Sequence, residues 1–449
     1  MSNNESFFFW PAHIVSSEGE WRCVCRTTAL VLLLTWLSCV AGKASEPDSI
    51  RWLLHSEAAG DAGEGMEVWG EKEASKGVFS VEATANVSYL IPKGPYNKEI
   101  LHSYGTSCFD ARLLWKPMPA AGNPYDRAMG YPMLQAGISV ADFTHVHLSR
   151  PSTPYDSRIG RLITLYGGMQ YDFFRRGNLA VGVDLQNGVS YCTDPFDERD
   201  NIDNEQIGAR LSIFFGAGVV VRYRLNPQWS VSLGADFKHY SNGTLDRPNL
   251  GINTIGPTVG LQYDLQAVCQ EASATGARQP FEGRKAYLEV AGGSGFKTLL
   301  DHFKAFHSNK TPLYASPFVS IAPMVRYHLL HASGLEVGYA YAHYAYRIGQ
   351  FDREGGHEGY RYSPHVVGIG ARHEVFFRHF SVPVSAGIYL YRRMGYIADI
   401  DESRFYQTIG LRYNLPATHD RLFVGYNVKA HNFSKADCMQ VHLGWRFGK

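Results

Sequence analysis

Apolar and polar residues alternate one by one along most of the chain after residue 78, and this alternation limits the possible folds more than any other feature. In the first such segment the apolar positions are Phe79, Val81, Ala83, Ala85, Val87 and Tyr89, and the polar positions are Ser80, Glu82, Thr84, Asn86 and Ser88. Successive side chains of a β-strand point to opposite faces of the sheet. The pattern therefore predicts strands with one apolar and one polar face, and it predicts no amphipathic helix in this part of the chain.

The connections between the predicted strands indicate which kind of β-protein this is. One set of connections is very short, as at residues 175–178 and 226–228, and the other set is long and polar, as at residues 193–206. Short turns at one end and long loops at the other are typical of outer-membrane barrels. The sequence thus predicts an all-β fold, an antiparallel outer-membrane β-barrel of about sixteen strands.

The strands fall into two eight-stranded repeats. Phe173-Phe174-Arg175-Arg176 in the first repeat corresponds to Phe376-Phe377-Arg378-His379 in the second. We assign residues 78–265 to the first repeat, 266–284 to a polar linker and 285–449 to the second repeat. Eight-stranded and sixteen-stranded barrels both occur, so the duplication is compatible with one large barrel or two small ones.

Residues 1–44 have the layout of a cleavable secretory signal. A short apolar core at 29–36 follows Arg22 and Arg26, and small residues follow it. Such a segment is too short to span a membrane as a helix and directs export. We therefore expect the mature protein in the bacterial outer membrane.

Charge and metal-ligand spacing exclude other classes of function. The formal net charge is +1, without the basic surplus typical of nucleic-acid-binding proteins. The cysteines after residue 44 are widely scattered, and the pair His145 and His147 has no further ligands nearby in sequence. We therefore expect no nucleic-acid partner, no metal and no cofactor. The sequence indicates no oligomeric state.

The segment from His239 to Asn253 contains the candidate catalytic residues. It reads His-Tyr-Ser-Asn-Gly-Thr-Leu-Asp-Arg-Pro-Asn-Leu-Gly-Ile-Asn. It closely resembles the active-site hairpin of the lipid A 3-O-deacylase (PagL-like) family, also called bacterial acyloxyacyl hydrolases. The His-x-Ser-Asn core, the Pro-Asn pair and the following Gly-Ile carry the resemblance, which covers roughly residues 160–265.

The resemblance implies an outer-membrane enzyme that removes an ester-linked 3-hydroxyacyl chain from lipid A, the lipid part of lipopolysaccharide, without a metal. It implies that Ser241 is the nucleophile and His239 the general base. Asn242 is then expected to help form the oxyanion hole, and we group Gly243 with it as a substrate-binding residue.

The third catalytic position departs from the family, because Asn253 stands where the family archetype has a glutamate. In the serine-protease template, replacing the acid by an amide costs about 10⁴ in rate, yet Cys-His-Asn enzymes orient their histidine with an amide. We expect Asn253 to orient His239. Asp246 is an alternative acid, provided that it folds back from the loop.

The alternation itself places these residues on the apolar face. Trp229, Val231, Leu233, Ala235 and Phe237 form an apolar set that His239 and Ser241 continue, and Asn253 belongs to the apolar set of the next strand. Polar groups that face lipid are costly and mark functional sites. A chain that enters from the periplasm places the loop between these strands outside, so the site is expected at the outer leaflet, where lipid A resides.

The second repeat offers a comparison within the chain. There Val424, Tyr426, Val428 and Ala430 are expected to point outward and His431 into the lumen, so we predict that the second repeat is non-catalytic.

The sequence is compatible with two functions. One is an outer-membrane lipid A esterase. The other is a non-enzymatic barrel, either a porin or a structural protein that kept the fold and lost activity. The strongest support for this alternative is that Asn253 replaces the glutamate of the family.

Overall fold

The structure is a computed structural model that describes residues 77–92, 100–119, 122–150, 156–266, 284–306, 308, 310–400, 402–432 and 435–448. The signal segment predicted at residues 1–44 lies outside these residues, as does nearly all of the predicted linker. The strands of the first half are β1 (Gly77–Leu90), β2 (Gly105–Pro117), β3 (Met133–Leu148), β4 (Ser157–Arg176), β5 (Leu179–Cys192), β6 (Leu211–Arg224), β7 (Trp229–Ser241) and β8 (Ile252–Asp264).

The strands of the second half are β9 (Lys285–Thr298), β10 (Leu313–Arg326), β11 (His331–Tyr341), β12 (His365–Phe377), β13 (Phe380–Tyr391), β14 (Phe405–Asn414), β15 (Leu422–His431) and β16 (Lys435–Phe447). Each half closes on itself: β1 pairs with β8, and β9 pairs with β16, both antiparallel. The chain therefore forms two eight-stranded barrels, and the alternative of one large barrel is wrong.

The two faces of each strand differ as the alternation predicted. Side chains such as Val87, Leu165, Leu233 and Val259 are exposed on the outside, with between 55% and 69% of their surface accessible. The polar residues between them, including Glu82 and Thr84, are buried inside the barrel. An apolar exterior around a polar interior is the arrangement that a bilayer requires of a barrel.

Charged side chains fill the interior of the first barrel. Arg112 lies 2.9 Å from Glu82 and 2.5 Å from Asp184. Lys238 lies 3.0 Å from Asp110. All five side chains are buried. Each buried charge thus has a partner of opposite sign, which a low-dielectric interior demands.

The interior of the second barrel is also charged. Arg372 and Arg412 contact Glu289 at 2.6 and 2.9 Å, and Arg446 contacts Glu374 at 2.9 Å. Both glutamates are buried. The described lumens are therefore packed with paired side chains, as expected of barrels with only eight strands.

In the described parts of the connections there are four short α-helices, where the sequence predicted none. They are α1 (Pro124–Ala128), α2 (Leu300–Phe306), α3 (Ala345–Glu354) and α4 (Gly395–Ile400). With ten residues or fewer, they are too short for a helical period to stand out from the flanking loops. Within the described residues, no helix has the length and apolarity needed to cross a membrane.

The two barrels contact each other along their sides. Tyr426 Oη on β15 donates to Asn187 Oδ1 on β5 at 2.6 Å. At the end with short turns, Arg378 donates to both carboxylate oxygens of Asp126 in α1. At the end with long loops, the backbone N–H of Thr298 donates to the carbonyl of Thr244 at 2.8 Å. The short-turn ends of the two barrels therefore contact each other, and so do the long-loop ends, so both barrels have the same orientation.

Candidate functional site

The hairpin of β7 and β8 brings the three predicted catalytic residues together. His239 and Asn253 are direct partners across the two antiparallel strands, and Ser241 follows two residues after His239 on the same face. All three occupy odd positions of strands whose odd residues, such as Leu233 and Val259, are exposed on the outside. The three residues therefore have the outward orientation that the alternation predicted.

The three side chains form one hydrogen-bonded array. Asn253 Oδ1 lies 2.7 Å from His239 Nδ1, and Ser241 Oγ lies 2.8 Å from His239 Nε2. An amide oxygen can only accept, so Nδ1 must carry the proton. Nε2 is then unprotonated and accepts from the Ser241 hydroxyl. In this tautomer the imidazole is ready to take the proton of the serine, as a general base must be.

Asn242 occupies the interior of the β7–β8 loop. Its side chain is 3% exposed. The amide nitrogen donates to the carbonyl of Asp246 at 3.1 Å, and the amide oxygen accepts from the N–H of Thr244 at 3.0 Å. Its own backbone N–H donates to Asn249 Oδ1 at 3.1 Å. In this conformation Asn242 shapes the loop, and one of the two hydrogens of its amide nitrogen is used by a backbone carbonyl. Its part in an oxyanion hole stays a prediction.

Gly243 has a left-handed backbone conformation, with φ of +62°, that suits glycine. It is buried. Its N–H makes no hydrogen bond within the described part of the chain. Backbone N–H groups of buried residues usually have an acceptor, so the N–H of Gly243 is a candidate donor to a bound oxygen.

Asp246 does not fold back to the imidazole. Its Oδ1 accepts from the backbone N–H of Arg247 at 2.8 Å, and burial raises the pKa of its carboxyl above the ordinary value. Asn253 therefore holds the position beside Nδ1 that the alternative acid would need.

Gly251 lies against the imidazole of His239, a contact that the sequence did not predict. Its φ is +77°, and a Cβ added there would lie 3.3 Å from Cε1 of the imidazole. The N–H of Gly251 donates to the carbonyl of Gln206 at 2.9 Å, and that of Leu250 donates to Glu205 at 3.1 Å. The β5–β6 loop thus anchors the end of the β7–β8 loop. Gly-Ile at 251–252 was noticed only as part of the family resemblance.

The second barrel has a different arrangement at the corresponding place. His431 is 1% exposed and lies inside the barrel, with its Nε2 2.8 Å from Tyr389 Oη. This lumen position agrees with the prediction from the alternation. That the second repeat is non-catalytic stays a prediction.

One group of potential metal ligands occurs among the described residues, inside the second barrel. Ligand atoms of Glu402, His431 and Asp437 lie within 4.8 Å of one another. Lys297 contacts Asp437 at 2.6 Å, and Arg392 pairs with Glu402. Because these cations already neutralise both carboxylates, the group has the composition of an ion-pair network. His147, considered earlier for a metal, contacts Asp156 at 3.0 Å at the surface.

Two family models match the chain. The model described as lipid A 3-O-deacylase (PagL) matches residues 131–262, which include the array, and the model described as acyloxyacyl hydrolase, C-terminal domain, matches residues 286–449. Together they span most of the chain. The comparison with curated proteins finds no match.

Among solved structures, Neisserial surface protein A is 11% identical, with a TM-score of 0.25, covering 41% of this chain and 96% of its own. A porin of Rh. blastica is 10% identical, with a TM-score of 0.16, covering 83% of this chain and 100% of its own.

Proposed function

Because the chain belongs to the lipid A 3-O-deacylase family of outer-membrane hydrolases, we propose that it is a serine esterase that removes an ester-linked hydroxyacyl chain from lipid A. The observation that carries the proposal is the hydrogen-bonded array of Ser241, His239 and Asn253 on the outward face of the first barrel. A nucleophile, a base and a group that orients the base are the minimum for acyl transfer.

The reaction begins with attack of Ser241 Oγ on the ester carbonyl of the acyl chain. His239 Nε2 accepts the serine proton as the bond forms, and the imidazolium then returns that proton to the leaving sugar hydroxyl. An acyl-serine remains, and His239 activates a water that releases the hydroxy fatty acid. Asn253 holds the Nδ1 proton throughout, which keeps Nε2 available for each transfer.

Gly243 is the proposed donor to the oxyanion. Negative charge develops on the carbonyl oxygen during attack, and backbone N–H groups commonly stabilise it. The N–H of Gly243, two residues after the nucleophile, has no acceptor in the described part of the chain. Asn242 contributes by holding the turn through its bonds to Thr244 and Asp246.

The position of the array supports a lipid as the substrate. The array lies at the long-loop end of the barrel, on the face that carries the apolar side chains. In an outer-membrane barrel the long loops are extracellular, so the site reaches the leaflet that contains lipid A. A lipid ester can reach Ser241 from this leaflet, which favours it over a water-soluble ester.

The proposal is tested with the purified full-length protein and lipid A in detergent micelles. Mass spectrometry measures release of a hydroxy fatty acid by the wild type, by Ser241→Ala and by His431→Ala as a matched control inside the other barrel. Release by the wild type and by His431→Ala, with loss in Ser241→Ala, is expected. Equal release by all three proteins, or by none, contradicts the serine-esterase mechanism.

A further inference from the structure

The second barrel holds the loop that follows the nucleophile. Thr298, the last residue of β9, donates to the carbonyl of Thr244 twice, through its backbone N–H at 2.8 Å and its Oγ1 at 2.9 Å. Thr244 Oγ1 donates in turn to the carbonyl of Asp437 in β16, at 3.0 Å. Three hydrogen bonds between the barrels therefore converge on one residue, three positions after Ser241.

Thr244 has a backbone conformation that it would not adopt readily by itself. Its φ is +73°, in the left-handed region, where a β-branched residue is a genuine outlier. Such a conformation persists only where the surroundings impose it. Thr244 is 2% exposed, and the surroundings that contact its hydroxyl and its carbonyl belong to the second barrel.

The second barrel also lies close to Gly243, which is two residues after Ser241. Ile213 on β6 is the direct cross-strand partner of Ser241. A Cβ added at Gly243 would lie 3.7 Å from Ile213 Cδ1 and 3.6 Å from Cβ of Met439 in β16. Gly243, the proposed oxyanion donor, is therefore enclosed between a side chain of its own barrel and one of the second barrel.

We propose that the second barrel is a positioning element for the catalytic loop, with Thr298 and the carbonyl of Asp437 fixing Thr244 and, through it, the N–H of Gly243. This inference rests on the proposed function. It assigns a role to the second repeat: the second barrel takes part in turnover through backbone geometry, without contributing a reacting group.

The critical variant is Thr244→Gly in the full-length protein. Glycine accepts the left-handed conformation without strain and loses the hydroxyl that reaches Asp437. If Thr244 only helps to hold the two barrels together, the variant keeps the wild-type kcat. The positioning role predicts an unchanged barrel fold, checked by migration of unheated protein in SDS gels, with kcat on lipid A reduced about tenfold to a hundredfold and KM nearly constant.

Two further variants separate the hydroxyl bond from packing. Thr298→Val removes the Oγ1 donor while keeping the shape, and Thr298→Ser keeps the donor. We expect a lower kcat in Thr298→Val and a kcat near that of the wild type in Thr298→Ser.

His419→Gly is the matched control for Thr244→Gly. His419 also has a positive φ, of +54°, and lies in an exposed turn at the opposite end of the second barrel. This variant should retain the wild-type kcat.

Hydrogen–deuterium exchange of the peptide covering residues 242–251 gives a readout that does not depend on activity. Faster exchange is expected in Thr244→Gly and Thr298→Val, and unchanged exchange in His419→Gly. If the wild type hydrolyses lipid A and Thr244→Gly keeps both its kcat and its slow exchange, this inference is overturned and the proposed function stands. If the wild type hydrolyses nothing, the proposed function fails and the inference fails with it.

Discussion

Replacing Asn253 by aspartate tests how the third residue of the array acts. The side chains have the same length, so a carboxylate oxygen takes the place of the amide oxygen that lies 2.7 Å from His239 Nδ1. The tautomer stays the same, because either oxygen accepts the Nδ1 proton. The change adds one negative charge beside the imidazole that, in the proposed reaction, becomes positive as Ser241 attacks.

The size of the effect follows from the geometry. Two unit charges about 4 Å apart attract by about 4 kcal/mol at an effective dielectric constant of about 20. A carboxylate facing lipid near the interface costs up to about 1 kcal/mol. A net gain of about 2–3 kcal/mol in the transition state corresponds to about 30- to 150-fold in rate.

The assay is the initial rate of hydroxy fatty acid release from lipid A in micelles by purified wild type, Asn253→Asp and Asn253→Leu. We expect Asn253→Asp to be the fastest. Asn253→Leu should be slower than the wild type, because Nδ1 then lacks an acceptor and the histidine loses its preferred tautomer. A rate for Asn253→Asp equal to or below that of the wild type would refute this account of the array.

Three other changes test separate parts of the structure. His239→Ala should abolish hydrolysis of lipid A, whereas His431→Ala should retain it, in the same release assay. Gly251→Ala places a methyl group 3.3 Å from His239 Cε1 at a φ of +77° and should lower kcat at least tenfold, since the imidazole must shift. Arg112→Ala leaves Glu82 and Asp184 buried without their partner and should reduce the free energy of unfolding by about 3–5 kcal/mol, measured by urea titration in micelles.

Each of these predictions has an outcome that contradicts it. Loss of hydrolysis in His431→Ala would contradict the prediction that His431 has no part in the reaction. Full activity in Gly251→Ala would mean that the imidazole is not confined by the loop. An unfolding free energy for Arg112→Ala within about 0.5 kcal/mol of the wild type, the usual range for surface changes, would show that the ion pairs of the first barrel do not stabilise it.

The orientation of the candidate site could be predicted from the sequence because a strand has a period of two. Once Val231 and Leu233 were assigned to the outside, the pleat required His239 and Ser241 to be there too. That Asn253 contacts His239 was implied by the family resemblance, and that both lie on one face followed from the alternation. These are local relations, and the structure has them as predicted.

The closure of the sheets could not be predicted in the same way. Alternation is identical in one large barrel and in two small ones, and the choice depends on whether β8 pairs with β1 or with β9. The pairing of Ala83 with Leu261 joins residues that are far apart in sequence and have no local signature. The bonds between Thr244 and Thr298 depend on that closure and on the contact between the barrels.

Lipid A from cells that express the protein tests the central claim most directly. Mass spectra are compared for cells with the wild type, with Ser241→Ala at the same level of folded protein, and with an empty vector. The account predicts that only the wild type yields lipid A lighter by one ester-linked hydroxyacyl chain. Lipid A of the same mass in all three, or the same loss in the wild type and Ser241→Ala, would contradict it.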